Sequence, residues 1–203
     1  MRVLRGRASD HETDHERTHR MAWAVAESGR PALRVWCPHR QIAFGRRDAC
    51  EDGYGRAREI ARAGDYAVLE RAVGGRAVAY TGRTVALALA TPVADERSGI
   101  QDRYADTSDR LRRALETLGV DAVEGEPPDS FCPGSHSLQA TGKIAGLAQR
   151  VRQDVAVVAA VVLVADHEAV AEVLAPIYDA LGVPFDPDSV GSVARAGGSG
   201  DPD

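Results

Sequence analysis

The segment Asp154 to Val164 (DVAVVAAVVLV) is continuously apolar and dominated by β-branched valines. A run of this kind reads as a strand buried on both faces, at the centre of a sheet. It falls short of the ~18–20 residues that cross a bilayer. A central strand requires other strands beside it and packed layers above and below it. The rest of the chain must supply them.

The flanking pattern does so. A helix is expected from Thr13 to Glu27, stopped by Gly29-Arg30-Pro31. Strands are expected at Ala32–Cys37 and Gln41–Gly45, with a short helix over residues 54–63 ended by Gly64. Further strands follow at Tyr66–Glu70, Ala77–Thr81 and Arg83–Thr91, the last two joined by a tight turn at Thr81-Gly82. Asp102 to Leu118 is an amphipathic helix with Leu111, Ala114, Leu115 and Leu118 as its apolar stripe. A strand at Val120–Val123 precedes a Pro/Gly/Ser loop over residues 124–137. Leu138–Ala140 and Ile144–Gln149 frame a hairpin turn at Thr141-Gly142, and His167–Leu181 is the last helix. The order is not the regular strand–helix alternation of a doubly wound sheet. It predicts an α+β fold with a mixed, largely antiparallel sheet flanked by helices. Residues 1–12 are expected to be a flexible N-terminus and residues 184–203, rich in Pro, Gly and Asp, a flexible tail.

At 203 residues and a net charge of −5, the chain is one domain with no basic stripe for nucleic acid. Residues 1–20 carry no apolar leader segment, so a cytoplasmic protein with no membrane attachment is expected. Cys37, Cys50 and Cys132 are odd in number and lack metal-ligand spacing, so no metal site is assigned. His11, His15 and His19 recur every four residues and would share a helix face, for which solvation is the plainer reading than metal binding.

One residue stands out by composition. Of 25 Lys and Arg residues a single one is lysine, Lys143. Arg-biased usage would leave a chance survivor. The sharper reading is a position that needs a compact ammonium with three donors, which guanidinium does not imitate. Lys143 stands in Gly142-Lys143-Ile144-Ala145-Gly146-Leu147-Ala148-Gln149-Arg150, where the small residues Gly146 and Ala148 leave room along a strand. A second segment runs Glu70-Arg71-Ala72-Val73-Gly74-Gly75-Arg76-Ala77-Val78-Ala79-Tyr80. Gly74 and Gly75 permit a close backbone approach to a ligand, and Arg71 and Arg76 could pair with an anion. A glycine turn with two surface arginines is the plainer alternative.

These two segments resemble the lipoate–protein ligase and octanoyltransferase family. ERAVGGRAVAY is similar to that family's Arg-Arg-x-x-Gly-Gly-x-Ala-Val-x-His segment, and GKIAGLAQR to its Lys-(Ile/Val)-x-Gly-x-Ala-Gln segment. The helix around Met21-Ala22, then PALRVW and AFGRRD, fall in the same order, so the resemblance covers Thr13 to Leu181. It implies a class II synthetase/biotin–lipoate ligase type of fold with residues 13–183 as the catalytic domain. It implies protein lipoylation: attachment of an octanoyl or lipoyl group to the acceptor lysine of a lipoyl domain. Partners would be the lipoyl domains of 2-oxoacid dehydrogenases or the glycine cleavage H protein, with acyl carrier protein as donor.

The GGRAV form, with Arg76 in place of a third glycine, is similar to one octanoyltransferase subfamily. That subfamily carries a nucleophilic cysteine in the loop before the lysine, where this chain has Ser130-Phe131-Cys132-Pro133. The resemblance thus implies a Cys132 thioester, with Lys143 polarising the acyl carbonyl. Arg71, Gly74, Gly75, Arg76, Ala77, Tyr80, Gly146 and Ala148 would line the acyl slot. No tightly bound cofactor is implied, and lipoate or octanoate is the transferred group. An ATP- and Mg-dependent lipoate ligase, working with an accessory subunit, is the alternative, and a non-catalytic lipoate or lipoyl-domain binder is the second. Two departures bear on it: Tyr80 replaces the family's His, and Asp154–Val164 lacks its His-Gly pair. A bystander thiol is the plainer reading of Cys132, and His136, four residues on, could serve as its base.

Overall fold

A computed structural model describes residues 1–71 and 75–202. The described strands form two sheets rather than one. The larger has seven strands: β1 (Arg2–Arg5), β2 (Ala32–Trp36), β6 (Thr84–Pro92), β10 (Val155–Leu163), β9 (Gly142–Arg152), β8 (Ser137–Ala140) and β7 (Val123–Glu124), in that spatial order. The smaller has β4 (Ala67–Glu70), β3 (Gln41–Phe44) and β5 (Val78–Tyr80). Pairing is antiparallel except between β1 and β2 and between β3 and β4. The helices are α1 (His11–Ser28), α2 (Tyr54–Ala63), α3 (Ile100–Thr117) and α4 (His167–Ala180). No described helix is long and apolar enough to cross a membrane.

The valine-rich run is β10, the fourth of the seven strands. Its two faces differ, which corrects the expectation of burial on both sides. Ala156, Val158, Ala160 and Val162 are fully covered, and Ala160 and Val162 pack with Leu111 and Leu115 of α3. On the other face, Val157, Ala159 and Val161 are only partly covered and border an open cavity. The Thr81-Gly82 turn also differs from a hairpin. Gly82, at φ 94°, carries the chain out of the small sheet at β5 into the large one at β6. The strand expected at 120–123 shrinks to β7, because Val120 and Ala122 are drawn into the core beneath α3.

Both ends of the chain are built into the fold, correcting the expectation of flexible termini. Arg2–Arg5 pairs with β2, and Asp10 caps α1 by accepting from the Thr13 amide at 2.8 Å. The cap starts the helix at His11 rather than Thr13. The Asp14 carboxylate accepts from the Ala8 amide at 2.7 Å and pairs with buried Arg34 of β2. A largely exposed edge strand has no apolar period, so its sequence gives little sign of it.

At the other end, Val190 and Val193 are buried in two different cores. The amides of Gly191, Val193 and Ala194 donate to the carbonyls of Lys143, Leu163 and Val164, each at 2.9 Å. Gly191 passes so close to Gly142 that a Cβ on either would stand within 2.8 Å of the other segment's backbone.

That contact generates a stability prediction. Gly191→Ala forces two backbones apart and should cost about 1–3 kcal/mol. A thermal unfolding midpoint lower by about 2–10 °C is expected. Gly55→Ala, in α2 with nothing near the added methyl, should instead raise it slightly.

Candidate active site

The site is assembled from three places in the sequence: the loop before β8, the start of β9 and the bend leading into β5. Lys143 opens β9 and is 1% exposed. A buried ammonium must have all three protons satisfied. Here Nζ donates to Glu126 Oε2 at 2.6 Å, to the Phe131 carbonyl at 2.9 Å and to the Cys132 carbonyl at 2.9 Å. Three acceptors converge on one point, which suits a tetrahedral ammonium and not a planar guanidinium. The role implied by the resemblance, polarising an acyl carbonyl, would require one of these bonds to open.

Glu126 is the other half of this clamp, and no motif or spacing along the chain marks it. Its Oε1 accepts from the Gly134 amide at 2.9 Å and its Oε2 from Ser137 Oγ at 2.8 Å. One carboxylate therefore ties down both ends of the loop that carries Cys132. Partial burial pushes the Glu126 carboxyl up, but the Lys143 ammonium, Ser137 and Gly134 outweigh it and hold it below its ordinary value.

Cys132 sits at φ 43°, a left-handed conformation that few side-chain-bearing residues adopt. Its amide donates to Tyr178 Oη at 2.6 Å, and that hydroxyl donates to the Ala77 carbonyl at 3.0 Å. Tyr178 of α4 thus joins the cysteine loop to the start of β5. Burial raises its ionisation far above the ordinary tyrosine range, so it remains a neutral hydroxyl. A buried tyrosine needs a polar partner, and that is the signal that could have found it.

The sulfur faces Gly75 and Arg71. A Cβ on Gly75, at φ 102°, would stand 3.0 Å from Sγ. Arg71 Nη2 lies 3.7 Å from Sγ and also donates to the Arg76 carbonyl. Gly45 abuts the same bend, where a Cβ would fall 2.1 Å from the Gly75 oxygen. Gly75 and Gly45 are therefore needed for close packing within the fold, and Gly74 lies outside the described residues. Arg76 turns away from the sulfur, to Glu51 at 2.7 Å and to buried Asp48 at 3.5 Å. Asp48 also accepts from the Gly45 amide at 2.8 Å, and burial holds its carboxyl above its ordinary value.

A cavity of about 620 Å³ runs from this point across the large sheet, beneath α1. Its volume is that of a small-molecule site. Arg71 and Tyr80 border it at one end, and Cys132 lies just beyond Arg71. Its floor is a row of alanines in register across three strands, Ala88, Ala159 and Ala148, flanked by Ala86 and Val161. Gly146 pairs with Val161 in the next row, 3.7 Å (as an added Cβ) from Lys143 Cε. Of the residues expected to line an acyl slot, Arg71, Tyr80 and Ala148 border this cavity, and Ala77 accepts from Tyr178. His136 is stacked on Tyr104 at 3.7 Å between ring centroids. His15 and His19 border the cavity with their Nε2 atoms 3.1 Å apart, and among the described residues no group of three His, Cys, Asp or Glu is placed to hold a metal.

The clamp has a pH signature. A carboxyl with a depressed folded value stabilises the fold fully above its ordinary value and loses that contribution as pH falls through the folded one. Glu126→Gln should cost about 2–4 kcal/mol near neutrality. The gap between variant and wild type should close below about pH 4, as read from urea unfolding midpoints across pH.

Comparison with known proteins shows the family and the fold. The lipoyl protein ligase A/B catalytic domain matches residues 16–195. An octanoyl-[GcvH]:protein N-octanoyltransferase from Exiguobacterium sibiricum is 34% identical over 142 residues, covering 66% of this chain and 49% of the relative. One of the same name from Geobacillus kaustophilus is 30% identical over 127 residues, covering 62% and 45%. The chain thus spans about half the length of the curated relatives it matches. The crystal structure of lipoate-protein ligase A bound with ATP superposes with a TM-score of 0.75 at 20% identity, over 95% of this chain and 76% of that one. With a domain match that takes in the cysteine loop, the lysine strand and the alanine floor alike, this chain belongs to the lipoyl protein ligase A/B catalytic domain family.

Proposed function

We propose that this chain is a protein lipoylation enzyme that moves an octanoyl or lipoyl group to the acceptor lysine of a lipoyl domain through a thioester on Cys132. The observation that carries the proposal is the position of the sulfur. It lies 3.7 Å from a half-buried arginine that borders a mostly apolar cavity of about 620 Å³. The names of the octanoyltransferase relatives support the same reaction.

In the first half-reaction a sulfur lone pair of the Cys132 thiolate forms the S–C bond to the donor's carbonyl carbon. The C=O electron pair moves to oxygen, then returns as the donor's sulfur or nitrogen departs and takes a proton. In the second half the acceptor amine attacks the thioester, loses a proton and expels the Cys132 thiolate. Glu126 and Lys143 fix the loop for both steps, and the alanine floor holds the chain, each buried methylene contributing about 0.8 kcal/mol. The carrier is an octanoylated protein: acyl carrier protein, or an H protein, to which the relatives' names point. The acceptor is a lipoyl domain.

The test is intact mass after incubation with octanoyl-acyl carrier protein and, separately, octanoyl-H protein. An added octanoyl group that hydroxylamine removes, and that Cys132→Ser abolishes, is expected with one of them. No adduct with either, alongside ATP-dependent lipoate attachment by Cys132→Ser, would replace this reading with the ligase.

Chain length gives a second check. Ala148→Leu fills part of the floor, so turnover with octanoyl donors should fall about 10- to 100-fold. Butanoyl donors should be affected within about threefold, because a chain half as long does not reach as far along the cavity.

A further inference from the structure

Several groups around the cysteine loop could carry charge or donate a hydrogen bond, and among the described residues one of them directs a side-chain donor at the sulfur. Lys143 gives its three protons to Glu126 and two loop carbonyls. The amide of Cys132 itself is taken by Tyr178 Oη. Arg76 is paired with Glu51 and Asp48. His136 lies on Tyr104. Arg71 is different. Its Nη2 reaches Sγ at 3.7 Å while also donating to the Arg76 carbonyl, and its Nε is buried without a hydrogen-bond partner. Among the described residues no carboxylate lies within ion-pair distance of it. Asp48 and the neutral Tyr80 are the other titratable groups that act on it.

A half-buried guanidinium whose Nε is cut off from water without a partner, and which has no paired anion, is costly unless an anion arrives. The reaction brings two. The first is the Cys132 thiolate. The second is the oxyanion, formed when the C=O electron pair moves to oxygen on the carbon that sulfur has just bonded. Both lie within the reach of one planar fork with five donors. Nη2 already faces the sulfur, and Nε is free for the oxygen. No proton leaves Arg71 in either step.

We propose that Arg71, rather than Lys143, is the cation that stabilises the negative charge on Cys132 Sγ and on the carbonyl oxygen it attacks, making Arg71 a catalytic residue and leaving Lys143 to position the loop. The oxyanion part of this assignment rests on the transferase reading given above. The thiolate part does not.

The experiment separates the two. Cys132 is alkylated with anionic iodoacetate and with neutral iodoacetamide, and the rate at each cysteine is read from peptide masses. Exposed Cys50 serves as the internal reference. A cation at the sulfur should raise the iodoacetate-to-iodoacetamide ratio at Cys132 about tenfold over that at Cys50. Arg71→Gln should abolish the difference and slow formation of the octanoyl-enzyme about 10²- to 10³-fold. Arg71→Lys keeps the charge and should keep most of the ratio, yet it lacks the fork and should still acylate slowly. That split is not the signature of a damaged fold, which would disturb both readouts together. If Arg71→Gln leaves either the ratio or the acylation rate within twofold of wild type, the proposal is overturned. A wild-type chain with the raised ratio but no octanoyl adduct would support Arg71 at the thiolate and overturn the transferase reading instead.

Discussion

The buried ammonium of Lys143 is the constraint around which the site is arranged. A charge removed from water must meet its acceptors at short range, and the fold supplies three from one loop. Meeting them fixes the positions of Glu126, Phe131 and Cys132 together. The sulfur is then aimed by what remains: the strained φ of Cys132, the Tyr178 hydroxyl on its amide, and a glycine opposite with no side chain to obstruct it. The C-terminal segment completes the arrangement, since Gly191 bonds the backbone of Lys143 itself. A C-terminal segment expected to be flexible is thus joined to the strand that carries Lys143.

The second constraint is volume. A packed sheet ordinarily fills both faces with large side chains. Here Ala88, Ala159 and Ala148 stand side by side in register across β6, β10 and β9, so one face of the central strand stays shallow. The α1 helix roofs it without filling it. The opposite face carries α3 and is closely packed, with Leu111 and Leu115 against Ala160 and Val162. Close packing and open volume are therefore assigned to opposite faces of the same strand, which lets a cavity exist without hollowing the core.

The sequence by itself settled the order of elements, because hydrophobic period, glycine stops and helix caps act locally. It settled the family too, through GGRAV and GKIAG, and it marked Lys143 by its solitude among arginines. It could not separate the two sheets, since strands such as Val78–Tyr80 and Thr84–Pro92 are adjacent in sequence and pattern alike. Nor could it detect Arg2–Arg5 or the packing of Val190 and Val193, where the stabilising contacts are backbone bonds and isolated valines without a period. Only the tertiary structure decided which side chains meet around Cys132 and Lys143. Glu126 meets Lys143 across 17 residues, Arg71 meets Cys132 across 61 and Tyr178 meets it across 46. Hydrogen bonds between residues so far apart leave no periodic trace along the chain, because they depend on where folding brings the side chains and not on their spacing.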